Sequence, residues 1–155
     1  MNQQVELNAV ARAIIDSNLY MVLGTADESG QPWVTPVYYA AADYKEFYWV
    51  SSLEAQHSRN LAVRQQLSIV IFDSQVPINT GQAVYRSALA EALTKADLDR
   101  GLDIYSRSAL AHGGRAWKKQ DALPPAPYRL YRATALEQWI LDPTASTDRR
   151  VLVTM

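Results

Sequence analysis

The residues best suited to chemistry lie in the stretch VSSLEAQHSR, from Val50 to Arg59. It carries two hydroxyls, Ser51 and Ser52, then an imidazole at His57, a third hydroxyl at Ser58 and a guanidinium at Arg59. A strand that ends in hydroxyls and turns into a helix is a natural anion cradle. Free N–H groups and the positive end of the helix dipole favour a phosphate, which hydroxyls and an arginine fork can hold. The same letters have a plainer account. Ser51 and Glu54 fit a capping box, with His57 and Arg59 on a solvated helix face. The pattern alone leaves both accounts open.

Other chemistries find little support. The chain lacks a G-x-S-x-G elbow, a GK[ST] phosphate loop, an H-E-x-x-H pair and a G-x-G-x-x-G turn. Its two histidines, His57 and His112, stand far apart, and it has no cysteine, so no metal site is expected. Ser58 beside His57 is not a nucleophile and its base, because adjacent helical residues point in different directions. No catalytic residue can be named from these patterns.

The elements that must position this stretch are mostly strands. Leu7, Val10, Ala13, Ile14 and Ser17 mark one face of a first helix, which Asn18 ends. Residues 20–26 form an apolar run, and Asp27 to Gly30 reads as a hairpin loop. The run 33–40 is strongly β-forming, but Pro36 cannot donate to a ladder, so this strand should be bulged or at an edge. Residues 47–51 follow closely as its antiparallel neighbour, and the cradle helix then runs to about Gln66. Residues 67–72 form the most apolar strand and should be central, with a long strand over 81–93. Thr94 to Asp97 resembles a second capping box, opening a helix with Leu98, Leu102, Tyr105 and Ala109 on its apolar side. After an irregular, proline-bearing stretch, residues 128–141 resume strand character, and residues 151–155 offer a short last strand or a partner contact.

Strands joined by hairpins rather than helical crossovers predict a mainly β protein, an antiparallel barrel with peripheral helices. With 155 residues, 48% apolar and 20% charged, one domain is expected, comprising a helix over 1–18, the barrel over 19–142 and a tail over 143–155. A net charge of −1 with scattered cations argues against nucleic acid as a partner. No apolar run reaches the length of a membrane span, and the first residues lack the pattern of a signal peptide, so a cytoplasmic protein is expected.

The succession YMVLGTADESGQPWVTPVYYA, EFYWVSS, AQHSRNL and LSIVIFDS resembles the flavin-binding split-barrel family related to pyridoxamine 5′-phosphate oxidase. The resemblance extends from about Leu19 to Asp142 and rests on the order and spacing of these segments together. It implies a six-stranded antiparallel split barrel that forms a homodimer with two cofactor sites at the interface. The implied cofactor is FMN, or in some branches a deazaflavin or haem. Carried over, Val34, Thr35, Pro36 and Val37 lie beside the flavin ring, while Val50, Ser51 and Ser52 follow the ribityl chain to the phosphate. His57 stands where many members have a phosphate-binding lysine, which shifts phosphate binding toward Ser58, Arg59 and the helix N-terminus. Gln82 and Trp139 would come from the second subunit. The chain does not close on the arginine-bearing substrate motif of the pyridoxamine phosphate oxidases, so vitamin B6 oxidation is not expected. An FMN-dependent oxidoreductase acting on a small molecule is the reading that remains. The alternatives are a deazaflavin-dependent reductase or a non-catalytic protein that binds or senses a flavin, haem or pyridoxal phosphate.

Overall fold

The computed structural model describes residues 2–155. A first helix, α1 (Gln3–Ser17), leads into β1 (Tyr20–Ala26) and β2 (Pro32–Tyr38). Then come β3 (Ala40–Ala42), β4 (Glu46–Ser52), α2 (Gln56–Val63), β5 (Gln66–Phe72) and β6 (Ala83–Ala92). Two helices, α3 (Leu98–Ala111) and the single turn α4 (Lys119–Ala122), precede β7 (Tyr128–Leu141) and β8 (Arg150–Leu152). No helix among the described residues is long and apolar enough to cross a membrane.

All strand pairs are antiparallel, in the order β2-β1-β5-β6-β7-β4-β3, with β8 added to β7. The two outermost strands, β2 and β3, are separated in the chain by Tyr39 alone. The sheet must therefore curl until its edges meet at Tyr39, which makes it a split barrel with a seam between β2 and β4. Alternation along each strand sends one set of side chains inside, among them Met21, Leu23, Phe47, Trp49, Ile69 and Ile71, all at most 2% exposed. α1 covers one end of this core. A second apolar cluster lies on the outer face of β4 and β7, where α3 packs Leu98, Leu102, Tyr105 and Ala109 against Tyr48 and Leu130. Gly101 permits that approach: a Cβ there would stand 2.9 Å from both Leu130 and Tyr48 side chains.

Several expectations need correction. Eight strands form rather than six, because the expected 33–40 strand divides at Tyr39 and β8 adds to β7. Only the short part after Tyr39 pairs with β4, while β2 pairs with β1 in unbroken register. Pro36 thus lies on an edge strand without a bulge. α2 is shorter than expected at both ends, since Ser51 and Ser52 stay in β4 and Gln66 begins β5. The Ser51–Glu54 capping box does not form. Instead Ser52 Oγ accepts from the Glu54 N–H at 3.1 Å, and Ala55 occupies the N-cap with no side-chain cap. The second box fails as well, because Asp97 adopts a left-handed conformation at the N-cap of α3 and caps nothing. The central position belongs to β6 rather than to β5. In α1 the buried face is Leu7, Ala11 and Ile15, and Val10 is exposed. The apolar side of α3 falls on the four residues expected.

Candidate functional site

The seam sets β2 on one side and the β4–α2 turn on the other. β2 points Val34 and Pro36 outward and Thr35 and Val37 toward the interior, with Val37 in the core. Across the seam, Ser51 faces the interior, whereas Val50 packs on the outer cluster beneath α3. α2 is tied to β1 by Asn60, whose Nδ2 donates to Thr25 Oγ1 at 3.0 Å. Its first intrahelical bond is Arg59 N–H to the Ala55 carbonyl, so the N–H groups before it remain for other acceptors.

His57 lies beneath this turn rather than on a solvated face. Its Nε2 meets Ser51 Oγ at 2.7 Å in a buried contact. Burial holds the imidazole pKa below its ordinary value, so His57 is uncharged at neutral pH. Ser58 is 3% exposed, and its Oγ has no partner among the described residues. Arg59 is exposed and pairs with Glu54 at 2.8 Å, a contact of small energy at this exposure. Ser58 and Arg59 border a cleft of about 1040 Å³ together with Arg64 and Glu91. The turn therefore offers an uncapped helix end, an orphaned hydroxyl and an exposed guanidinium. This set suits an anion.

A second concavity, of about 630 Å³, opens on the outer face of β1, β5 and β6. Register explains its lining. Val22, Val70, Tyr85 and Trp139 stand opposite one another across four strands, and Val34, Gly24, Ser68 and Ser87 form the adjacent row. Arg150 of β8 lies over the Tyr85 ring at 4.3 Å. The floor is flat, mostly apolar and edged by two hydroxyls and one cation. These features suit a planar, polar-edged ring.

The structure thus brings Val34 and Trp139 together at the concavity, and Ser51, His57, Ser58 and Arg59 together at the turn. It leaves Gln82 apart from both: its side chain donates to and accepts from the backbone of Leu141, at 2.8 Å each way. Sequence reasoning missed Val22, Ser68, Val70, Tyr85, Ser87 and Arg150. For all but Arg150, which lies on β8, the signal was the every-second-residue spacing on β1, β5 and β6, but only strand order shows that the three sets share one face.

Residues 7–140 match the pyridoxamine 5′-phosphate oxidase family. The chain belongs to that family. No curated protein matches it. Among solved structures it is similar to a haem-binding protein from Mycobacterium smegmatis, with a TM-score of 0.74 at 18% identity. That likeness covers 99% of this chain and 59% of the other, so the chain spans well under two thirds of that relative. It is also similar to HutZ, the haem storage protein from Vibrio cholerae, with a TM-score of 0.66 at 18% identity over 83% of this chain and 89% of that one. An F420 reductase aligns with a TM-score of 0.61 at 15% identity, covering 83% and 94% of the two chains. At these identities the likeness establishes the fold and leaves the ligand to the chain's own residues.

Proposed function

We propose that this protein binds FMN and acts, as a homodimer, as a flavin-dependent oxidoreductase on a small molecule. The observation that carries the reading is the orphaned Ser58 hydroxyl at the uncapped start of α2. A buried hydroxyl without a partner is costly unless something supplies one, and a phosphate oxygen does so. Ser58 and the free N–H groups of α2 hold the phosphate, with Arg59 released from Glu54 to join them. His57 fixes the rotamer of Ser51 rather than bringing charge, so Ser51 and Ser52 are presented toward the ribityl chain. Backbone groups of Val34 to Val37, at a strand edge where Pro36 donates nothing, serve the polar rim of the ring, and Val50 lies beyond them.

In a dimer, Trp139 and Gln82 of the second subunit add to the concavity that Val34, Tyr85 and Arg150 of the first subunit border. Flavin supplies hydride transfer at its ring when bound. The protein binds, orients and excludes water. The residues at the concavity fit haem less well. Among the described residues no histidine, cysteine or methionine lines it, and its single phenol, on Tyr85, is covered by Arg150.

The test is a visible spectrum of the freshly purified protein, mass spectrometry of any released molecule, and light scattering at micromolar concentration. A dimer that carries or takes up FMN, and whose flavin cycles with a reduced nicotinamide and an acceptor, is expected. A colourless protein that refuses FMN overturns the reading, a monomer overturns the shared site, and a redox-silent flavin leaves binding without catalysis.

A further inference from the structure

The barrel interior holds a charge that no group among the described residues neutralises. Arg86 projects inward from the middle of β6, is 2% exposed, and places its guanidinium carbon 3.7 Å from the centroid of the Phe47 ring. Its Nε, Nη1 and Nη2 all lack hydrogen-bond partners among the described residues. Two more interior atoms share that condition. They are Nε1 of Trp49, the next inward residue of β4 after Phe47, and Oε1 of Gln138, which stands opposite Arg86 on β7. Contact with the face of Phe47 offsets part of the desolvation, but it satisfies none of the N–H donors.

No acid among the described residues takes the role of counter-charge. Asp142 is the one buried acid among the described residues, and its carboxylate is engaged by Arg149 and Thr144. Tyr39 is the one acidic group that interacts electrostatically with Arg86. Its hydroxyl donates to the Ile15 carbonyl at 2.5 Å, and burial pushes its pKa upward, so it stays neutral. Burial pulls the Arg86 pKa down to about 9, which still leaves the guanidinium charged at neutral pH. The neighbouring inward positions are small: Ala88 and Ala90 on β6, and Ala133 on β7. Short side chains leave room beside a long one.

From this arrangement we propose that the barrel interior is a binding site for a small monovalent inorganic anion, held by the guanidinium of Arg86 and supported by the indole N–H of Trp49. Water satisfies donors but leaves a buried charge uncompensated, and an anion does both. The planar fork of Arg86 suits chloride, bromide or nitrate, whereas a bulky anion such as gluconate is too large for the room that Ala88, Ala90 and Ala133 leave beside it.

The experiment is thermal unfolding of the full chain at fixed pH and ionic strength, exchanging gluconate for chloride, bromide or nitrate. Since an anion that binds only the folded state raises the midpoint by mass action, a rise of about 3–5 °C per tenfold anion above its dissociation constant is expected. Arg86→Met, which fills similar volume without charge, is expected to lose that dependence. A wild-type midpoint indifferent to anion identity overturns the proposal, and so does an Arg86→Met midpoint that keeps the dependence. Should Arg86→Met not fold, bromide-soaked crystals of the wild type decide. An anomalous peak against the guanidinium supports the site, and ordered water alone in that position refutes it.

Discussion

The concavity over β1, β5 and β6 and the turn from β4 into α2 treat solvent in opposite ways. The concavity is built from two rows of side chains fixed by strand register, so its shape is set by the whole sheet and its floor is largely apolar. The turn is built from consecutive residues, exposes backbone donors and keeps its one cation loosely paired at the surface. A ligand with a flat ring and an anionic tail divides its demands along the same line. Shape recognition needs many distant residues in register, whereas charge recognition needs a few neighbouring ones.

The largest break in this comparison comes from the concavity. Gly24→Phe should fill it, because a Cβ there has only ordinary contacts of 3.6 Å or more, so the fold tolerates the start of a side chain while the ring loses its floor. FMN and riboflavin should both lose affinity by about 100-fold or more, read by flavin fluorescence quenching, a loss of the order expected when a core contact surface is removed. Unchanged affinity for both flavins in this variant would mean that the ring binds elsewhere. Next comes the turn. Ser58→Ala with Arg59→Ala should weaken FMN by roughly 10–100-fold and leave riboflavin unchanged, as two hydrogen bonds to a charged group are lost. Parallel losses for both flavins would remove the phosphate assignment.

His57 sharpens the contrast through pH. Its folded-state pKa lies below its ordinary value of 6.5, so the stability that its neutral form contributes is fully present above that value and is lost as the pH falls below it. His57→Gln should flatten this acid-side loss in a urea-midpoint series between pH 7.5 and 5. FMN affinity should meanwhile stay level from pH 7 upward, because no imidazolium is present to lose. The smallest effect is expected from Glu54→Gln. Freeing Arg59 should raise FMN affinity about 2–3-fold at low salt, with the gain fading at high ionic strength, as measured by titration at two salt concentrations.

The turn was legible in the sequence and the concavity was not, for a physical reason. Ser51, His57, Ser58 and Arg59 are close in the chain, so local spacing alone gathers them. Ser68 and Ser87, or Val22 and Val70, meet only because β1, β5 and β6 are neighbours in a particular register, which no local pattern encodes. The first capping box misled because the hydroxyls of Ser51 and Ser52 had competing partners in the fold: His57 for one and the Glu54 N–H for the other. The face of α1 slipped because three helical positions at i, i+4 and i+8 outcompeted a broader stripe once only one narrow line touched the barrel. By contrast, α3 was read correctly from Leu98, Leu102, Tyr105 and Ala109, which lie together on its buried face.

Tyr39 carries a consequence for the order of assembly. Strands β2 and β3 flank it in the chain, yet β3 finds its place only through β4, and β4 only through β7, whose Arg132 pairs with Tyr48. The seam beside Tyr39 therefore closes after segments far apart in the chain have joined, and it should be among the first regions to open in local fluctuations. A ligand seated across that seam would act as its latch, and slowed amide exchange in β2 and β4 would report its arrival before any chemistry began.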